Sequence, residues 1–91
     1  MRLISVKQAK ALLKQMCTNK NKYHEVKLLT AKKDRSITVK NDGEKVTLIE
    51  EGYLHLEEKY SLEDISECRR AIQAAFKKEF PRSNRAYLIT G

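Results

Sequence analysis

The sequence predicts an α+β domain in which an N-terminal and a C-terminal helix pack on the same face of an antiparallel β-meander of three to four strands. Apolar residues recur at helical spacing near each end of the chain. Between these segments, apolar and polar residues alternate in short runs separated by turn-forming residues. Both helices and the sheet are then each apolar on one side. A two-layer arrangement buries these three apolar surfaces against one another. We expect a single domain over residues 1–91, because a chain of this length has room for one core.

The first helix is predicted to begin at Ser5, where Gln8 three residues later completes a capping-box pattern. It should end within residues 17–22, where asparagines favour a turn. The apolar stripe of this helix is Val6, Ala9, Leu12, Leu13 and Met16.

Two alternating segments, 24–31 and 35–41, begin the predicted meander. Asp42-Gly43 follows them and is a strong signal for a two-residue hairpin, since both residues tolerate positive φ. A turn there puts apolar residues opposite apolar residues, which share a face. The expected pairs are Val39 with Val46 and Ile37 with Leu48.

The stretch 46–56 is compatible with one bent strand or with a second hairpin. We favour a hairpin with a three-residue turn at 50–52, which makes the acidic residues of the turn solvated. A single bent strand has the same alternation but puts Glu50 and Gly52 on the core face. The hairpin pairs Leu48 with Leu54 and Val46 with Leu56. The predicted core face of the meander is Val26, Leu28, Thr30, Ile37, Val39, Val46, Leu48, Leu54 and Leu56.

The second helix is predicted to follow Ser61, and segment 86–90 is compatible with a short final strand or with an irregular tail. The apolar stripe of the helix is Leu62, Ile65, Cys68, Ile72, Ala75, Phe76 and Phe80. Cys17 and Cys68 both lie at predicted core-facing positions, so we expect buried free thiols rather than a disulfide scaffold.

The net charge of +7 is distributed unevenly along the chain. Residues 1–45 carry twelve basic against four acidic residues, residues 46–68 carry one against seven, and residues 69–91 carry six against one. Such a polarised field steers charged partners. No apolar run approaches the ~20 residues of a membrane span, and lysines interrupt any signal-peptide core, so we expect a cytoplasmic protein without a membrane contact.

Motifs of catalysis are missing from the sequence. It has no Gly-rich phosphate loop, no Gly-x-Ser-x-Gly elbow and no His-Glu-x-x-His. Its two histidines, His24 and His55, form no ligand pair with the cysteines at the spacing of a metal site. We therefore expect no enzyme, no metal and no cofactor.

The excess of lysine predicts a nucleic-acid-binding protein that contacts phosphates through lysines and bases through the outer face of the sheet. The order of elements, a four-stranded meander followed by a helix, resembles that of several single-strand-binding folds in topology. The predicted nucleic-acid-binding residues are Lys7, Lys10, Lys14, Lys20, Lys22, Lys27, Lys40, Lys45, Tyr53, Arg82 and Arg85.

The same outer face also supports an alternative hypothesis, a protein-binding module or a homodimer. The residues that face water on one side of a sheet are usually polar. Apolar residues on such a face therefore indicate a docking patch. The predicted partner interface is Leu29, Ile49, Tyr53 and His55.

Overall fold

The structure, a computed structural model, describes residues 2–17, 23–30, 32, 34–52, 55–80 and 84–90. Its elements are β1 (Arg2–Ser5), α1 (Val6–Gln15), β2 (Glu25–Leu29), β3 (Ser36–Asn41), β4 (Lys45–Glu51), β5 (His55–Ser61), α2 (Ile65–Glu79) and β6 (Arg85–Thr90), with a 3₁₀ turn at Leu62–Asp64. Over these ranges the strands form one six-stranded sheet in the order β1-β6-β2-β3-β4-β5, and every neighbouring pair is antiparallel. The predicted α+β class is confirmed, but the predicted three to four strands are too few.

Both helices cover the same face of the sheet. Helix α1 packs on β1, β6 and β2, and α2 packs on β3, β4 and β5. Ala9 and Leu13 of α1, Ile72 and Phe76 of α2 and Leu28 of the sheet belong to one buried cluster. In the part of the chain that the structure describes, no element covers the opposite face of the sheet. The protein therefore has a helical side and an open sheet side.

Strand β1 is not among the predicted elements, and strand β6 occupies the segment that was compatible with a strand or an irregular tail. β1 has only four residues, too few for a clear alternation, and its last residue, Ser5, also caps α1. The Ser5 hydroxyl accepts the Gln8 backbone N–H at 3.1 Å, and the Ser5 N–H donates to the Gln8 side chain at 3.1 Å, so the predicted capping box is confirmed. β6 inserts between β1 and β2, which is a pairing that local patterns do not reveal.

The β3–β4 hairpin has the predicted faces but a different register. Val39 lies opposite Leu48 and Asn41 lies opposite Val46, so the pairing is two residues away from the prediction. The Asp42 carboxylate accepts the N–H groups of Glu44 and Lys45, both at 2.8 Å. These two hydrogen bonds hold the pKa of Asp42 below its ordinary value, because they stabilise the charged carboxylate. Asp42 therefore starts the turn and does not occupy its centre.

The β4–β5 hairpin is displaced further: its turn moves by two residues and its pairing by four, because Val46 lies opposite Tyr60 instead of Leu56. β4 continues to Glu51, which pairs with His55, so the connection is residues 52–54 rather than 50–52. This extension carries Glu50 onto the core face, where it is 2% exposed, and the prediction that Glu50 is a solvated turn residue is wrong. The longer strand allows seven residue pairs to form with β5, which gives a physical reason for the extension.

The predicted core face is confirmed where the structure describes it. Leu54 lies outside the described residues, and Leu56, on the edge strand β5, is half-buried. The residues that are buried as predicted are Val26, Leu28, Thr30, Ile37, Val39, Val46 and Leu48.

In the described segments no helix is long and apolar enough to cross a membrane.

Candidate functional site

The helical side has a groove between α1 and α2. It encloses a cavity of about 230 Å³. The apolar part of its wall consists of Leu13, Ile72 and Phe76. The remaining lining residues are Lys10, Lys14, Cys17, Arg69, Gln73 and Lys77.

Four cations line this groove, and none of its described lining residues is acidic. Lys10 and Lys14 come from α1, and Arg69 and Lys77 come from α2. The ammonium of Lys10 reaches across to α2 and lies 5.7 Å from the centroid of the Phe76 ring. A cation over an aromatic face is attracted by the ring quadrupole. The groove is thus a positively charged concave surface with an apolar floor, which is a suitable receptor for an anionic group.

The residues of the groove are brought together by helical periodicity in both helices. Lys10 and Lys14 are four residues apart, and Arg69, Gln73 and Lys77 repeat the same spacing. Side chains four residues apart share one side of a helix. Each of these stripes flanks the buried stripe of its helix, so packing the helices side by side brings the flanks to the same groove.

Arg69, Gln73 and Lys77 were not among the predicted site residues. Lys77 lies in the last turn of α2, where a cation complements the helix dipole without any ligand. The four-residue spacing of Arg69, Gln73 and Lys77 is visible in the sequence. Whether these side chains form a site depends on which helix packs beside α2, and the tertiary structure decides that.

Two thiols lie close together at the groove, where Cys17 lines the cavity and Cys68 is buried behind it. Cys17 follows the end of α1 and Cys68 lies in the first part of α2, and their Sγ atoms are 3.8 Å apart. Both are free cysteines and both are buried, as predicted. The hydrogen bond between Cys17 and Cys68, with help from the positive charge of Arg69, holds the pKa of the Cys17 thiol below its ordinary value of 9.0 against the opposing effect of burial.

The predicted lysine site is divided between the two sides of the molecule. Lys7, Lys10 and Lys14 share the exposed side of α1, on the helical side. Lys27 is half-buried, and Lys40, Lys45 and Arg85 are exposed on the strands of the open sheet side. Lys20, Lys22, Tyr53 and Arg82 lie outside the described residues. The structure therefore brings together the α1 lysines but separates them from the sheet lysines.

Apolar residues of the open sheet side lie side by side on β1, β6 and β2. Tyr87 of β6 stands between Leu3 of β1 and Leu29 of β2 in one cross-strand row. Leu3 is 45% exposed and Ile89, which shares the Tyr87 face of β6, is 39% exposed. Of the predicted partner interface, Leu29 and Ile49 are half-buried on this side and His55 is exposed. Ile49 stands apart from this row, because β3 lies between β2 and β4.

A buried pair of carboxylates lies at the other end of the core. Glu79 of α2 is 1% exposed, and its Oε1 is 3.9 Å from Nε of Arg35. Burial raises the pKa of Glu50 above its ordinary value of 4.5, and the hydrogen bond with Glu79 and the charge of Glu79 raise it further. Lys78 opposes the shift. Glu50 therefore holds a proton more readily than an ordinary glutamate does.

Metal-ligating residues are not clustered in the segments that the structure describes. No group of three or more His, Cys, Asp or Glu side chains there is arranged to hold a metal ion. The expectation that the chain is not an enzyme stays a prediction.

The fold and the site define a class, a two-layer α+β protein with a basic groove between its helices and an open sheet side. The chain matches no protein-family model, and comparisons with curated proteins and with solved structures also find no match. Its function has to be argued from its own residues.

Proposed function

We propose that the protein binds nucleic acid and that the groove between α1 and α2 holds the phosphate backbone. The observation that carries this proposal is the convergence of Lys10, Lys14, Arg69 and Lys77 on one concave surface without an acidic neighbour in its described lining. Lysine and arginine that neutralise phosphates supply most of the sequence-independent affinity of such proteins. The net charge of +7 adds long-range attraction for a polyanion.

The sheet lysines are not part of this contact. Lys40 and Lys45 lie on the open sheet side, so one short segment of nucleic acid does not reach them and the groove together. For bases to contact the β-sheet, a second segment of the bound nucleic acid would have to reach it. The proposal therefore assigns phosphate binding to the helical side alone.

The test measures binding of a labelled mixed-sequence oligonucleotide by fluorescence anisotropy over a range of salt concentrations. If four cations each displace a counterion from a single strand, the slope of log K against log salt is about −3. The double substitution Lys14→Glu/Lys77→Glu should reduce the magnitude of this slope by about 1 to 2 and weaken binding to every sequence alike.

The matched control is Lys40→Glu/Lys45→Glu, which changes the net charge by the same amount on the other side of the molecule. All four lysines are exposed, so neither variant should disturb the core. The control should retain the slope of the wild type. Equal losses in both variants would show that only total charge matters, and a slope near zero for the wild type would refute nucleic-acid binding itself.

A second candidate function is a protein-binding module on the open sheet side. The observation in its favour is the exposure of Leu3 and Ile89 beside Tyr87 and Leu29, since exposed apolar clusters mark interaction surfaces. Ile89→Glu should then abolish self-association or partner capture without changing oligonucleotide binding. Elution of the wild type at the mass of one chain at every concentration would refute the homodimer form of this hypothesis.

A further inference from the structure

Cys17 and Cys68 are positioned to react with each other. The chain has no other cysteine, and these two, although far apart in sequence, lie with their Sγ atoms 3.8 Å apart. An S–S bond is about 2.05 Å long, so the sulfur atoms need to approach by less than about 2 Å. Rotation of the side chains and a small adjustment after the end of α1 are movements on this scale. Cys17 follows the helix, and its backbone N–H donates to the Lys14 carbonyl at 3.2 Å.

The surroundings of the two thiols give them different roles. Cys17 lines the cavity between the helices, whereas Cys68 is fully buried and does not line it. A small reagent that enters the groove therefore meets Cys17 first. Lys10, Lys14 and Arg69 surround this approach with positive charge, which favours a thiolate, the nucleophilic form of cysteine.

The pKa directions agree with this assignment. The hydrogen bond between the thiols, with Arg69 nearby, lowers the pKa of Cys17, whereas the same hydrogen bond, burial and the charge of Cys17 raise the pKa of Cys68. Cys17 is thus the better thiolate, and Cys68 keeps its proton until a reaction partner is present.

We propose that Cys17 and Cys68 form a redox-active dithiol, a modification site in which a hydroperoxide oxidises Cys17 and Cys68 resolves the product into a disulfide between α1 and α2. The Cys17 thiolate attacks the terminal oxygen of the hydroperoxide, the O–O bond breaks, and the alkoxide takes up a proton and leaves as an alcohol or as water. Cys17 is then a sulfenic acid. The Cys68 sulfur attacks the Cys17 sulfur, the S–S bond forms, and the hydroxyl leaves with the Cys68 proton as water. Two electrons pass from the two thiols to the peroxide, and an external dithiol reverses the reaction.

This site is independent of nucleic-acid binding. It depends only on the distance between the thiols, their burial and the opening of the cavity at Cys17, so it stands or fails separately from the groove proposal.

The first experiment uses the wild-type chain alone. Reduced, folded protein is treated with hydrogen peroxide, quenched in acid, and its remaining thiols are alkylated and counted by mass spectrometry. We expect both thiols to disappear together in a single chain whose mass has fallen by two hydrogen atoms, and dithiothreitol to restore them. Survival of both thiols until a denaturant is added, or disulfides only between chains, would overturn the proposal.

The second experiment separates the two roles. In Cys68→Ala, Cys17 should accumulate as a sulfenic acid that dimedone traps, and in Cys17→Ala, Cys68 should react at least about tenfold more slowly with peroxide. Alanine is used because it leaves no unpaired hydroxyl in the core, and thermal unfolding followed by circular dichroism checks that each variant is folded. Equal reactivity of the two cysteines, or faster reaction of Cys68, would contradict the assigned roles.

Discussion

Replacing Glu50 by glutamine should stabilise the protein. Glu50 is 2% exposed, its Oε2 atom has no hydrogen-bond partner, and its neighbour in the core is a second carboxylate, Glu79. Arg35 lies 3.9 Å from the Glu79 carboxylate. A pair of opposite charges at this distance attracts by about 4 kcal/mol at an effective dielectric constant of ~20. This attraction to Arg35 offsets the negative charge of Glu79. The charge of Glu50 therefore remains to be neutralised by a proton.

Glutamine has nearly the shape of glutamate, carries no charge and can donate to Glu79. We expect Glu50→Gln to raise the free energy of unfolding by about 1–3 kcal/mol at pH 8, which is the range for relieving one unsatisfied buried polar group. The pKa of Glu50 is higher in the folded chain than its ordinary value of 4.5, so protonation favours the fold. That contribution is complete below pH 4.5 and is lost as the pH rises through the folded pKa. The advantage of the variant should therefore be small at pH 4.5 and grow above it.

Urea unfolding of both proteins between pH 4.5 and 8.5 measures this difference directly, and equal m values show that the two transitions are comparable. Glu51→Gln is the control, because the adjacent Glu51 is exposed. It should change the free energy of unfolding by less than about 0.5 kcal/mol at any pH. A variant at position 50 that is less stable than the wild type at pH 8, or a difference that does not depend on pH, would refute the reasoning.

Gly52→Ala should cost at least about 2 kcal/mol, because Gly52 has φ +154° and an added Cβ would approach Cγ of Arg35 to 2.9 Å. Gly43→Ala should cost only about 1 kcal/mol, since its φ of +94° disfavours alanine but nothing lies within 4 Å of the added atom. Urea midpoints of the two variants compare these costs, and equal losses would show that the close approach at Gly52 is unimportant. Asn41→Ala should cost about 1–3 kcal/mol, because the Asn41 side chain donates to the carbonyl of Met16 at 2.9 Å in the buried core and the substitution removes this hydrogen bond. Calorimetry that finds this variant as stable as the wild type would show that water or a rearrangement replaces the bond.

The alternation of apolar residues predicted the faces of the strands but not their register. Side chains on a strand repeat every two residues, so a slip of two residues leaves every face unchanged. The β3–β4 pairing differs from the prediction by two residues and the β4–β5 pairing by four, and either slip keeps the faces. The deciding contacts are local in one case, where Asp42 binds the N–H groups of Glu44 and Lys45. In the other case the extension of β4 to Glu51 allows seven residue pairs with β5, and it places Glu50 beside Glu79 of α2.

The candidate site was predictable only within one helix. Lys10 and Lys14 are visible from helical spacing on α1, and so is the amphipathic pattern of α2. What sequence reasoning lacked was the proximity of the helices, which follows from the position of β6 in the sheet and from the packing of Cys17 against Cys68. The apolar row on the sheet could not be predicted for the same reason. Leu3 and Leu29 lie beside Tyr87 because β6 is inserted between β1 and β2, and the sequence does not show this insertion.

During synthesis on a ribosome, strand β1 emerges well before its partner β6. Among the described strands β1 pairs with β6, so residues 2–5 join the sheet only when residues 85–90 have left the exit tunnel. Until then β2 is an edge strand without a partner on one side. The apolar side of α1 can pack on only part of its final surface in the sheet. Nascent chains in this condition are prone to sticking to one another. The meander from β2 to β5 is continuous in sequence and is free to form early, which leaves closure by β6 as the late event of folding.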